Sequence, residues 1–193
     1  MIGSDGITAA AEATARVWEI GFDRDWATPA RGMELSCWST AEHVCDVVFS
    51  YACQLTARAT TAYVKLLLRA EEHAGPAELV EGLRSSAGLL AAAVATTGAE
   101  VRAYHPSGMA DAEGFAAMGA TELLLHGDDV AVGLGLEFAA PQALCGDILA
   151  RLFPTVEPVD DRWLTLRWAT GRADIPGRDH VVSWRWQGAP LAG

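Results

Sequence analysis

Glu122, His126 and Asp129 lie together in "TELLLHGDDVA", residues 121–131 of a 193-residue chain. A helix turns about 100° per residue, so Glu122 and His126 sit about 40° apart with Asp129 roughly between them. Three ionisable groups therefore share one stripe of an otherwise apolar run. Glu-x-x-x-His on one helix face is half of a divalent-metal site, because carboxylate and imidazole are ordinary ligands for zinc, iron or nickel and this spacing aims both at one point. Helical bundles build metal sites from such stripes on facing helices. A stripe turned to water would carry the same residues and bind nothing.

A facing stripe stands on an earlier helix. His43, Asp46, Ser50 and Cys53 follow an i, i+3, i+7, i+10 pattern, and Asp46 is surrounded in sequence by Val44, Val47, Val48 and Phe49. A buried carboxylate there needs a partner or a cation, whereas a solvated one needs neither. The four cysteines, Cys37, Cys45, Cys53 and Cys145, form no C-x-x-C pair. They read as free thiols acting as small apolar packing residues.

The elements that position these groups are mainly α. Strong helix formers predict a first helix over about residues 5–22, ending near Gly21. Pro29 and Gly32 break the loop that follows. A second helix starts at Ser39, where Ser39 and Glu42 form a capping box, and continues towards residue 73 with a break near Thr60–Thr61. The third covers Ala77 to Ala103, "YHPSG" is a loop, and the fourth runs from Asp111 to Gly133 or Gly135. "APQALCGDILARLFP" adds a short helix stopped by Pro154. Beyond Pro158, "RWLTLRWA" and "HVVSWRWQG" alternate with period two, which predicts a two-stranded β unit packed on the helices through its tryptophans. No repeat or low-complexity linker divides the chain. The expectation is one domain over 1–193, helical over 1–158 and with a β tail over 159–193.

Composition narrows the function. Hydrophobic residues make up 51% and charged residues 20%, as in a globular protein. The formal charge of −11 argues against nucleic acid and anionic membrane as partners, since both demand clustered Lys and Arg. No leader or membrane-spanning run is evident, so a cytoplasmic location is expected.

Several segments resemble the DinB-like superfamily and, more narrowly, the mycothiol-dependent maleylpyruvate isomerase family of actinobacteria. They are "CWSTAEHVCDVVF", "YHPSGMADAEGFAAMGATELLLHGDDVAVGLG", "LARLFP" and "LRWATGRADIPGRDHVVSWRWQGAPL". The resemblance implies a four-helix bundle with an internal metal, held by a His from the second helix and a Glu and a His from the fourth. Glu122 and His126 fall on the fourth-helix ligands. Asp129 falls on the acidic residue after them, where it would orient His126. The second helix departs from the pattern. The ligand position, eight residues after Trp38, is Asp46, while His43 stands one turn earlier, displaced by about 5 Å along the axis. Asp46 replaces the His, or His43 reaches in its place, or the site binds no metal. The Pro-Gly expected before Trp38 is also replaced, by Ser36-Cys37.

By this resemblance the function is that of a metal-dependent enzyme acting on a small electrophilic molecule. A divalent metal, zinc first and iron or nickel next, would activate a low-molecular-weight thiol such as mycothiol for isomerisation or thiol transfer. Arg102 and His105 would bind a carboxylate of cofactor or substrate. The competing expectation is a metal-free relative that binds a small molecule or serves as an accessory protein. A monomer or homodimer is expected in either case, the Trp-rich tail offering a surface for a second copy.

Overall fold

The computed structural model describes residues 1–31 and 34–191, and the protein is mainly helical. Among the described residues six helices follow one another: α1 (Ser4–Ile20), α2 (Cys37–Ala57), α3 (Pro76–Thr96), α4 (Ala112–Gly133), α5 (Gln142–Leu152) and α6 (Arg162–Ala169). α1 and α2 each pack against both α3 and α4, and α5 joins α4 to α6. The core is a single cluster reaching from Ile2 to Trp186. Among the described residues no helix is long and apolar enough to cross a membrane. Gly32, Ala192 and Gly193 lie outside the described residues.

α4 is the central element, buried over nearly its whole length from Gly114 to Ala131. Asp111 caps it by accepting from the Gly114 amide at 2.8 Å. Its glycines let neighbours approach closely. A Cβ at Gly119 would stand 2.4 Å from Leu90 Cδ2 of α3, and one at Gly127 would stand 2.5 Å from Thr14 Oγ1 of α1. Thr14 uses that proximity to donate to the Leu123 carbonyl, and the Trp18 indole donates to the Gly127 carbonyl.

α2 begins one turn earlier than the sequence predicts. Ser36, not Ser39, is the cap, accepting from the Ser39 amide at 3.1 Å. Glu42 is thereby released from the expected capping box and does something else. Beyond Ala57 the chain leaves the helix through Arg58 in the left-handed region (φ 50°) and turns back along α2 as an extended strap, residues 63–70. α2 side chains hold that strap through its backbone. Gln54 Oε1 accepts from Val64 N at 2.7 Å, Asp46 Oδ1 from Leu68 N at 2.7 Å, and Glu42 Oε1 from Ala70 N at 3.0 Å. Asp46 of the α2 stripe, together with Glu42 and Gln54, is therefore an acceptor row for the strap backbone.

α3 is shorter than expected. It stops at Thr96, where the Thr96 and Thr97 hydroxyls donate back to carbonyls of the preceding turn and Gly98 follows.

The expected β unit is not formed, and no strand occurs among the described residues. "RWLTLRWA" is helix α6, capped by Asp161, which accepts from the Leu164 amide at 2.9 Å. Trp163, Leu166 and Ala169 are buried at a spacing of three, so the period-two pattern coincided with a helical one. "HVVSWRWQG" is extended but pairs with no strand. It is pinned by Gln187 N to the Leu152 carbonyl and by Gly188 N to the Ser107 carbonyl. The buried Arg151 guanidinium donates to the carbonyls of Gln187, Gly188 and Ala189 and to Asp111.

Candidate metal centre

One face of α4 meets α2 where His43, Glu122 and His126 converge. One ligand atom from each lies within 4.8 Å of the other two. His126 Nε2 is 3.2 Å from Glu122 Oε2, and the His43 and His126 rings meet edge to face with centroids 5.4 Å apart. Two ligands of one tetrahedral zinc lie about 3.4 Å apart, from bonds of about 2.0–2.1 Å. The Glu122–His126 pair already has that spacing, so closure of the set needs only a small movement of His43, which is exposed at the mouth of the site. The nitrogen, oxygen and nitrogen donors fit a borderline divalent ion.

His126 is held from behind. Its Nδ1 is 3.1 Å from Asp129 Oδ2. Asp129 is 1% exposed, a depth at which an ionised carboxylate requires partners. It has them: Arg172 Nη2 at 2.9 Å, Arg172 Nε at 3.2 Å and Arg31 Nε at 3.2 Å. The neighbouring Asp128 pairs with Arg31 and, at 4.0 Å, with Arg167. Burial alone would push the His126 pKa down. Asp129 and Glu122 on its two sides overcome that and hold it at about 9. Burial likewise works to raise the Glu122 and Asp129 carboxyls, yet both end below their ordinary value, through His126 for each and Arg172 for Asp129. His43 moves the other way, lowered by desolvation and by the charge of His126. An Nδ1–H held by Asp129 leaves the neutral His126 ring with its lone pair on Nε2, facing Glu122.

A hollow of about 240 Å³ opens beside these groups, lined by His43, Asp46, Ser50, Tyr51, Tyr63 and Glu122 among others. The Tyr51 hydroxyl donates to Glu122 Oε1 at 3.4 Å, and burial drives its pKa far up, so it stays a donor. Tyr63 comes from the strap and is also raised by burial.

The sequence stripe thus meets in space through Glu122, His126 and Asp129. On α2 the geometry groups His43 with them, while Asp46 lines the hollow and accepts from Leu68 N. Arg102 and His105 are each engaged locally. The Arg102 guanidinium donates to the Ala99 and Val101 carbonyls. His105 Nδ1 accepts from Ser107 N, and its ring packs among Tyr51, Tyr63, Phe115 and Trp186. Desolvation there lowers its pKa to about 4. The cysteines are free; Cys45 and Cys145 are buried and pushed up to about 12, which suits packing rather than thiol chemistry. Spacing could not reveal Arg31, Arg172, Tyr51 or Tyr63. The only sequence signal for the two arginines was that a buried Asp129 must be neutralised by something.

Comparison of the chain with protein-family models, curated protein sequences and solved structures found no match.

Proposed function

We propose that the protein is a DinB-like, metal-dependent enzyme, with α1–α4 as its four-helix bundle, that activates a low-molecular-weight thiol towards a small electrophilic substrate. The observation that carries this reading is the convergence of His43, Glu122 and His126, with a hollow directly beside them. His43 and His126 would each offer an imidazole nitrogen and Glu122 one oxygen, with zinc the first choice and iron or nickel next. A divalent ion there would lower the pKa of a bound thiol and hold the thiolate as a nucleophile. Tyr51 steadies the second Glu122 oxygen. Asp129 accepts the hydrogen bond of His126 Nδ1–H and so fixes its ring, and Arg172 fixes Asp129. A hollow of about 240 Å³ beside the site supports a small-molecule substrate. Isomerisation and thiol transfer both suit this arrangement, and mycothiol is the thiol that the resemblance implies.

The direct test is elemental analysis of freshly purified protein beside Glu122→Ala, His43→Ala and Asp46→Ala. The expected result is about one metal per chain, lost with Glu122→Ala and His43→Ala and kept with Asp46→Ala. Loss with Asp46→Ala but not with His43→Ala would instead make Asp46 the third ligand. Absence of metal from the wild type, even after incubation with zinc, nickel or iron(II), would end the enzyme reading. A second reading would then stand, a metal-free binding or accessory protein. It has support in the way Glu122, His126 and Asp129 already satisfy one another's charge.

A further inference from the structure

We infer that Asp46 is the specificity residue of this hollow. It selects, beside the metal, a ligand whose neighbouring group is positively charged over one whose neighbouring group is anionic. This rests on the metal reading above. Asp46 spends one oxygen on the strap, Oδ1 accepting from Leu68 N at 2.7 Å. Among the described residues no Lys or Arg pairs with the carboxylate, and its Oδ2 has no hydrogen-bond partner. It nevertheless borders the hollow, as His43 and Glu122 do.

The residues lining the hollow include no Lys or Arg. The nearby cations are engaged or directed elsewhere: Arg172 on Asp129, Arg69 of the strap on Glu42 at 3.4 Å, while Lys65 of the strap is exposed and does not line the hollow. An anionic group of a ligand would find no basic partner there. The charges point the same way. With Glu122 as a ligand, a divalent ion retains one positive charge, which the Asp46 carboxylate offsets. A bound thiolate then leaves the site with one net negative charge. A cationic group on the same ligand relieves that excess and an anionic group adds to it. Tyr51 and Tyr63 are compatible neighbours for a cation, since aromatic faces attract positive charge.

The inference can be read without any turnover assay. The protein is loaded with cobalt(II), whose visible spectrum reports ligand exchange. It is then titrated with 2-aminoethanethiol, 2-mercaptoethanol and mercaptoacetate, three small thiols that differ in charge. Each ratio of affinities is compared between the wild type and Asp46→Asn, which cancels the thiols' own acidities. Asn keeps an oxygen for Leu68 N, so the strap remains held. The expected result is that the preference for the aminothiol over mercaptoacetate falls about tenfold in Asp46→Asn, and that Asp46→Glu retains it. An unchanged ratio in Asp46→Asn, with cobalt bound, would overturn the inference and leave the metal reading intact. Loss of cobalt from Asp46→Asn alone would also overturn it, by making Asp46 a ligand. Failure of the wild type to take up cobalt would defeat the metal reading and this inference together.

Discussion

Two turns of the same helix handle buried acid in opposite ways. At Asp128 and Asp129 the carboxylates are sealed by guanidiniums from Arg31, Arg167 and Arg172, which come from the loop before α2, from α6 and from the turn after it. At Glu122 the carboxylate meets two imidazoles, a tyrosine hydroxyl and a hollow. Guanidinium is permanently charged and closes the account of a carboxylate for good. Imidazole can give up its proton and offer a lone pair. The first arrangement builds a fold, and the second leaves a position that a cation can take.

The contrast is broken most directly at Asp129. Asp129→Ala leaves the Arg172 guanidinium without its carboxylate and Arg31 with Asp128 alone, and is expected to cost about 3–5 kcal/mol in urea unfolding. Glu122→Gln in the metal-free protein should cost about 1 kcal/mol or less, because a neutral amide can still meet Tyr51 and His126. Equal losses in the two variants would erase the distinction.

A sharper test joins the two regions. Arg172→Met keeps bulk but leaves Asp129 to Arg31 alone, so His126 is oriented less firmly; metal affinity should fall about 10–100-fold while the ligands remain. Affinity within about twofold of wild type would confine Arg172 to folding.

A third test uses acid. His105 titrates at about 4 in the fold, and an unfolded histidine titrates near 6.5. Between these values the unfolded chain binds more protons, so stability is full above about pH 6.5 and is lost as pH falls towards 4. The loss should be about 2 kcal/mol, allowing for partial solvent screening. His105→Gln should flatten that part of the stability curve, and an unchanged slope would assign it to other groups. The smallest effect concerns a cap. Asp161→Ala should cost about 1 kcal/mol if residues 162–169 begin a helix there, and almost nothing if they form a strand.

That last segment marks where the sequence was least informative. Trp163, Leu164, Thr165 and Leu166 fit both a two-residue and a helical period, and eight residues are too few to separate them. Asp161, just ahead of the run, was the discriminating signal. α4 was legible because its apolar run and its cap at Asp111 agreed, whereas on α2 the expected cap stood one turn too late and the helix ended at Ala57, short of its expected reach. The stripe of α4 was legible because its groups are local. Arg172 was not, lying 43 residues from Asp129 and reaching it through a turn whose composition resembles any other. The role of Glu42, Asp46 and Gln54 was hidden for a related reason. Their partner is backbone, and backbone amides leave no mark on a sequence.

The strap has a consequence of its own. It is tied to α2 through side-chain acceptors, without pairing to any strand. Such a segment is expected to detach in a sub-global opening that leaves the helices folded, at a free energy below that of global unfolding. The amides of Leu68 and Ala70 should therefore exchange with deuterium far sooner than those of α4. Since Tyr63 rides on the same segment, that exchange rate also measures how often one wall of the hollow swings away and lets its contents come and go.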